Sequence, residues 1–289
     1  MKSKNVGNDH LGGLSRRDAI KTTAAASLGV ASGAFAVPSG KRNLNISEKD
    51  FIREENSKKG TRDWRLSNTK TVPGKINRIL DNGRSKAIEG YCNANSLRAG
   101  EKLKIMVSTN TASAFKLDIF RTGYYGGTGA RLMKSFNSIM AGTQPDPPIG
   151  ENYVRECQWE PTVELEIPKT WPSGVYLGKM TAERSGIQSY VIFIVRDDRP
   201  CDFLFQCSDL TWSAYNRWPM DYSIYTEHEN WTSIGVPSGT VSFDRPYGLF
   251  THPVNKMKKS GGSGEYLPWE FPLAFWMEKE GYEVSYISN

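Results

Sequence analysis

The polypeptide has 289 residues, 38% hydrophobic and 24% charged, and its 8 Trp, 13 Tyr and 12 Phe are interspersed with 27 Gly and 15 Pro. That composition excludes a disordered or collagenous chain and suits a turn-rich globule with much β structure. The net charge of +6 does not mark a nucleic-acid partner: residues 1–36 hold 5 Lys and Arg against 2 Asp and Glu, leaving 32 against 29 in the rest.

Residues 1–40 have the form of an export signal. A polar N-terminus leads to Arg16 and Arg17, then to a mildly apolar stretch from Thr22 to Ala36 that ends in the small-x-small sequence Ala34-Phe35-Ala36. This resembles a twin-arginine signal and predicts a periplasmic or secreted protein. No later stretch offers the roughly 20 apolar residues that a membrane-spanning helix needs. Residues 41–60 are polar and charged and read as a linker.

From residue 61 onward, short alternating or apolar runs are separated by turn residues: Lys102 to Thr109, Phe115 to Arg121, Val163 to Ile167, Val175 to Ala182 and Ser189 to Arg196. These predict an antiparallel β-sandwich over residues 61–198. Beyond Pro200 the pattern changes. Phe203 to Cys207 reads as a buried parallel strand, Glu270 to Glu280 as a helix with Pro272 in its first turn and Gly281 past its end, and Glu283 to Ser288 as a second strand. Leu273, Trp276 and Met277 are expected on the buried face of that helix. Residues 199–289 thus begin an α/β, parallel-sheet domain. Because the sequence stops at Asn289 straight after the second strand, that domain is expected to be truncated.

Cys201 and Cys207, six residues apart on one extended segment, are too distant to bond, and Cys92 and Cys157 can pair only from neighbouring strands. With only His228 and His252 after the signal and no Cys-x-x-Cys, a zinc site of Cys or three His is not expected. Neither a Gly-x-Ser-x-Gly nor a His-Glu-x-x-His motif occurs. The densest cluster of chemistry is the segment Thr211 to Tyr225, with Trp212, Tyr215, Trp218, Tyr222 and Tyr225 just after a strand end, the usual ligand-binding position of an α/β sheet. These rings can stack on a ligand or, as phenolates, hold a hard metal ion. Equally, they can cover the junction of two domains. Asp244 and Arg245 in Ser242 to Tyr247 form either a structural pair in a turn or part of an active-site loop. Tyr124-Tyr125-Gly126-Gly127 reads as a sandwich-edge turn. Glu270 opens a helix, where a carboxylate complements the helix dipole without any catalytic role.

Six ordered motifs, RTGYYGGTGARLM from Arg121, SGVYLGKMT from Ser173, SYVIFIVRDD from Ser189, TWSAYNRWP from Thr211, VSFDRPY from Val241 and WEFPLAFWMEKEGYEVSY from Trp269, resemble the large (β) subunit of N,N-dimethylformamidase over residue 51 to the end. The resemblance implies hydrolysis of a small amide to a carboxylate and an amine by ferric iron (Fe3+) held by two tyrosines and a glutamate. It further implies Tyr215 and Tyr247 as metal ligands, with the third in a later motif or, failing that, at Glu270. Trp212, Asn216 and Arg245 are then the expected substrate-binding residues. A homo-oligomer or a small partner subunit also follows from the resemblance. The competing reading is an exported, non-catalytic protein that binds carbohydrate or another surface ligand.

Overall fold

The computed structural model describes residues 50–71, 84–219, 223–227, 232–233, 239–249 and 260–289. All of these fall in one compact unit, Leu44–Asn289. The expected signal segment, Tyr222, His228 and His252 lie outside the described residues.

The sandwich is built from two sheets. One has three antiparallel strands in the order β1 (Glu89–Cys92), β3 (Lys102–Ser108), β6 (Pro161–Glu166). The other has five, in the order β2 (Ser96–Arg98), β8 (Gln188–Arg196), β7 (Gly174–Ala182), β4 (Ser113–Thr122), β5 (Ala130–Ala141); β2 runs parallel to β8 and the other pairings are antiparallel. Leu103, Ile105 and Val107 face Phe115, Leu117 and Ile119 across a core that also takes Val191, Phe193 and Val195. Burying those inward residues supplies about 1.5–3 kcal/mol each before chain entropy is counted.

A third layer covers the other face of the five-stranded sheet. Strand β9 (Phe203–Gln206) pairs in parallel with β12 (Val284–Ile287), and helices α2 (Asp209–Tyr215) and α3 (Phe271–Glu280) flank them. Short strands β10 (Thr226–Glu227) and β11 (Thr232–Ser233) form a hairpin of their own. Phe120, Leu177, Tyr190, Ile192 and Ile194 of the sheet pack against Trp212, Tyr266, Ala274, Met277 and Tyr286. The unbroken apolar run in β8 therefore has a physical cause: alternate residues of the strand are buried in different cores. The predicted β-sandwich followed by an α/β parallel-strand element is the observed architecture.

Three details depart from the sequence reading. The segment expected to be a linker contains helix α1 (Phe51–Ser57), with Ile52 and Glu55 buried. Strand β5 was not foreseen, because two register shifts against β4 interrupt the alternation that would have signalled it. The buried face of α3 carries Ala274, Met277 and Glu278, whereas Leu273 and Trp276 are half exposed.

Glu278 is buried because the core already holds a cation. Arg121 and Glu278 form an ion pair at 2.8 Å with both side chains 0% exposed. Arg121 also donates to the Ser173 carbonyl and the Tyr125 hydroxyl. Glu278 in turn accepts from Asn56 and Tyr286, while Glu55 takes the Tyr125 hydroxyl and Arg131. Burial works against the charge on Arg121, but the adjacent Glu278 outweighs it and holds the guanidinium protonated. Burial likewise raises the Glu55 pKa, but Arg121, Lys58, Tyr125 and Arg131 together hold it below the ordinary glutamate value. Side chains of α1, β4, α3 and β12 thus meet in one polar cluster. Gly123 permits it, since a Cβ there would overlap the Glu278 carboxylate.

Candidate functional site

Helix α2 follows β9 after Cys207 and Ser208, so its side chains emerge beyond the carboxyl end of a parallel strand. Asp209 opens the helix, where a negative charge suits the dipole. Its carboxylate also accepts from the Asn95 amide at 2.6 Å and from the Asn289 backbone at 2.7 Å. Ser208, at the N-cap, makes no side-chain cap. In its place Glu270 Oε1 accepts the Ser208 N–H at 3.2 Å and the Trp212 indole N–H at 2.8 Å. Glu270 therefore fixes the start of the helix from the opposite side of the layer.

The far end of α2 is clasped to the Ser242 to Tyr247 segment. Asn216 donates to the Pro246 carbonyl at 2.9 Å, and its Oδ1 accepts the backbone N–H of Trp218 and of Gly248. Arg245, 2% exposed, donates to the carbonyls of Ser213, Asn216, Trp218 and Ser242. Burial pulls the Arg245 pKa down to about 10, so it remains a cation at neutral pH. Trp218 is fully buried against Trp159 and donates to Glu89, which itself pairs with Arg84 at 2.7 Å.

These bonds join the two segments that carry the predicted phenol ligands, because Tyr215 precedes Asn216 and Tyr247 follows Pro246. The Tyr215 ring is half-buried and packs against Tyr225 at 4.8 Å. Burial and the neighbouring Tyr225 raise its pKa. Tyr247 packs at the edge of the interlayer core, and burial, then the Asp209 charge, raises its pKa further. Trp212, Asn216 and Arg245, the residues expected to bind substrate, each bond to protein groups. They hold the site's framework. All four described cysteine thiols, at residues 92, 157, 201 and 207, are free.

Sequence reasoning assigned Glu270 to the helix dipole or, as a fallback, to the metal. It lies between the two: Oε1 caps α2, while Oε2 is buried and lacks a hydrogen-bond partner among the described residues. Burial raises the Glu270 pKa against the opposing bonds from Trp212 and Ser208. A raised folded-state pKa makes this carboxyl's contribution to stability complete at pH below its ordinary value of 4.5 and lost as pH rises through the shifted value. Glu270→Gln keeps the acceptor and removes the ionisation, so its melting temperature relative to the parent should climb between pH 4.5 and 8. Thermal melts across that range check this, and a constant difference would contradict it.

Among the described residues, no group of three or more His, Cys, Asp or Glu is placed to hold a metal ion. No described helix is long and apolar enough to cross a membrane.

No curated protein matches the chain. Among solved structures, an uncharacterized protein from Bacillus anthracis str. Ames aligns at 14% identity over 41% of this chain and 98% of its own, with a TM-score of 0.24, too distant to carry any inference. The family model for the C-terminal region of N,N-dimethylformamidase beta subunit-like proteins matches residues 116–289, which includes most of β4, the clasped segments and the terminal parallel strands. The chain therefore belongs to the N,N-dimethylformamidase beta subunit-like family.

Proposed function

We propose that this chain is an exported amide hydrolase that uses ferric iron to cleave a small linear amide into a carboxylate and an amine. The observation that carries the proposal is the clasp. Asn216 on Pro246, with Arg245 on Ser213 and Asn216, holds the two phenol-bearing segments against each other at the end of a parallel strand. The donor chemistry fits the ion: phenol oxygens of Tyr215 and Tyr247 are hard ligands, and Glu270 Oε2 is a buried oxygen with no partner among the described residues. When bound, ferric iron polarises a carbonyl and lowers the pKa of water.

Each residue of the chain has a separate task. Tyr215 and Tyr247 would hold the ion through their phenol oxygens, and without a cation their raised pKa values keep both protonated. Asn216 and Arg245 act as positioning residues that keep the two segments in register. Trp212, 2% exposed and bonded to Glu270, fills the wall behind the helix and excludes water there. Family membership extends the proposal to a partner subunit or a second copy in the working enzyme, and the twin arginines at Arg16 and Arg17 extend it to export.

The test is iron content and dimethylamine release from N,N-dimethylformamide by the purified full chain and by Tyr215→Phe. We expect stoichiometric iron in the parent. The variant should lose the iron and at least about 100-fold in turnover, as expected when a ligand rather than its outer support is removed. Iron absent from the parent, or retained undiminished by the variant, refutes the proposal.

A further inference from the structure

The five-stranded sheet has a part of its outer face that the third layer leaves open. Phe120, Leu177 and Tyr190 of that face are buried under the α/β element. One step further along the same strands the residues become polar: Lys116 lies opposite Thr181, Asp118 opposite Lys179, and Thr181 opposite Gln188. These residues floor a cavity of about 520 Å³ whose other wall is the 62–67 segment. That volume lies within the usual range of small-molecule sites.

The wall is fastened to the floor. Gln188 Oε1 accepts the backbone N–H of Ser67 at 2.8 Å, and Lys179 Nζ donates to the carbonyls of Asp63 and Arg65 at 2.7 and 2.9 Å. Charge in the cavity is unbalanced: Arg62, Arg65, Lys116 and Lys179 line it against Asp63 and Asp118. Asp118 is occupied by Lys116 at 2.9 Å and by the Ser135 hydroxyl at 2.6 Å. Arg62 and Arg65, both exposed and both lining the cavity, enter no ion pair among the described residues. The Arg65 guanidinium lies over the Trp64 ring, 5.5 Å from its centroid, which orders it at little entropic cost.

We infer that this groove binds a hydroxylated carboxylate of the uronic-acid type, beyond and independent of the proposed hydrolase site. Two planar guanidinium groups are suited to bidentate recognition of carboxylates. The Ser67 and Thr181 hydroxyls beside them suit a polyhydroxylated body. No exposed aromatic ring lines the groove, so it lacks the stacking platform that a neutral sugar face would use.

Isothermal titration of the full chain with digalacturonate, cellobiose and inorganic phosphate tests this. Digalacturonate should bind saturably, weaken with added salt, and weaken at least about tenfold in Arg62→Gln/Arg65→Gln. Cellobiose and phosphate should bind far more weakly or not at all. Failure of digalacturonate to bind, equal affinity for cellobiose or phosphate, or an unaltered double variant each overturns the inference. Both arginines are exposed, so the variant should fold, and circular dichroism verifies that it has. Its iron content and amide turnover should match the parent, which separates this site from the hydrolase proposal.

Discussion

Replacing Arg121 by Met should cost about 3–5 kcal/mol of folding stability, the loss expected when one partner of a fully buried ion pair is removed and the other is left uncompensated. The abandoned group is Glu278, which would keep only the Asn56 amide and the Tyr286 hydroxyl as donors. The Ser173 carbonyl, which accepts from both Nε and Nη2 of Arg121, would lose those partners too. Urea unfolding measures the loss. Arg121→Met/Glu278→Met should be less damaging than the sum of its single changes, because removing both charges together leaves neither stranded. A single-variant loss below about 1 kcal/mol would mean that water reaches Glu278 and that the cluster is not the dry interlock described above.

Arg245→Met should be comparably severe, at about 3–5 kcal/mol, for a different reason. The N–H groups of this guanidinium satisfy four main-chain carbonyls from two segments. Each buried carbonyl left without a donor costs about 1–3 kcal/mol, with relaxation reducing the total. Arg245→Lys should recover less than half of the loss, since an ammonium cannot reproduce the planar fork that reaches all four acceptors. Denaturant unfolding and near-ultraviolet dichroism of Trp218 check this. If Arg245→Lys were as stable as the parent but raised KM alone, the residue would be a substrate contact and not a clasp.

These two arginines show why the architecture was easier to read from sequence than the site. Apolar runs and turn residues mark strands locally, so β3, β4, β6, β7 and β8 of the sandwich, the β9 and β12 pair and helix α3 were visible, whereas β1, β2 and β5 were not. The burial of Glu55, Arg121 and Glu278 depends on partners up to 222 residues apart, and a polar residue shows no local sign of that. The stretch from Phe51 to Lys59 therefore reads as a solvated linker, although Ile52 and Glu55 lie in the interior. The same logic applies to Trp212, Asn216 and Arg245. Their chemistry suggests substrate contact, and nothing local in the sequence shows the Glu270 carboxylate and the carbonyls of a neighbouring segment to which they also bond. Tyr215 and Tyr247 were singled out through the family resemblance alone, since a lone tyrosine carries no spacing signature.

Strand β8 forms part of two apolar cores, one on each side. A hinge that swung the α/β layer away would strip solvent protection from Ile192, Ile194 and Tyr190 together and would also tear the Arg121 cluster apart. Gating by bulk opening of the two halves is thus closed to this molecule. For the hydrolase proposed above, the two layers would then serve as a stationary frame.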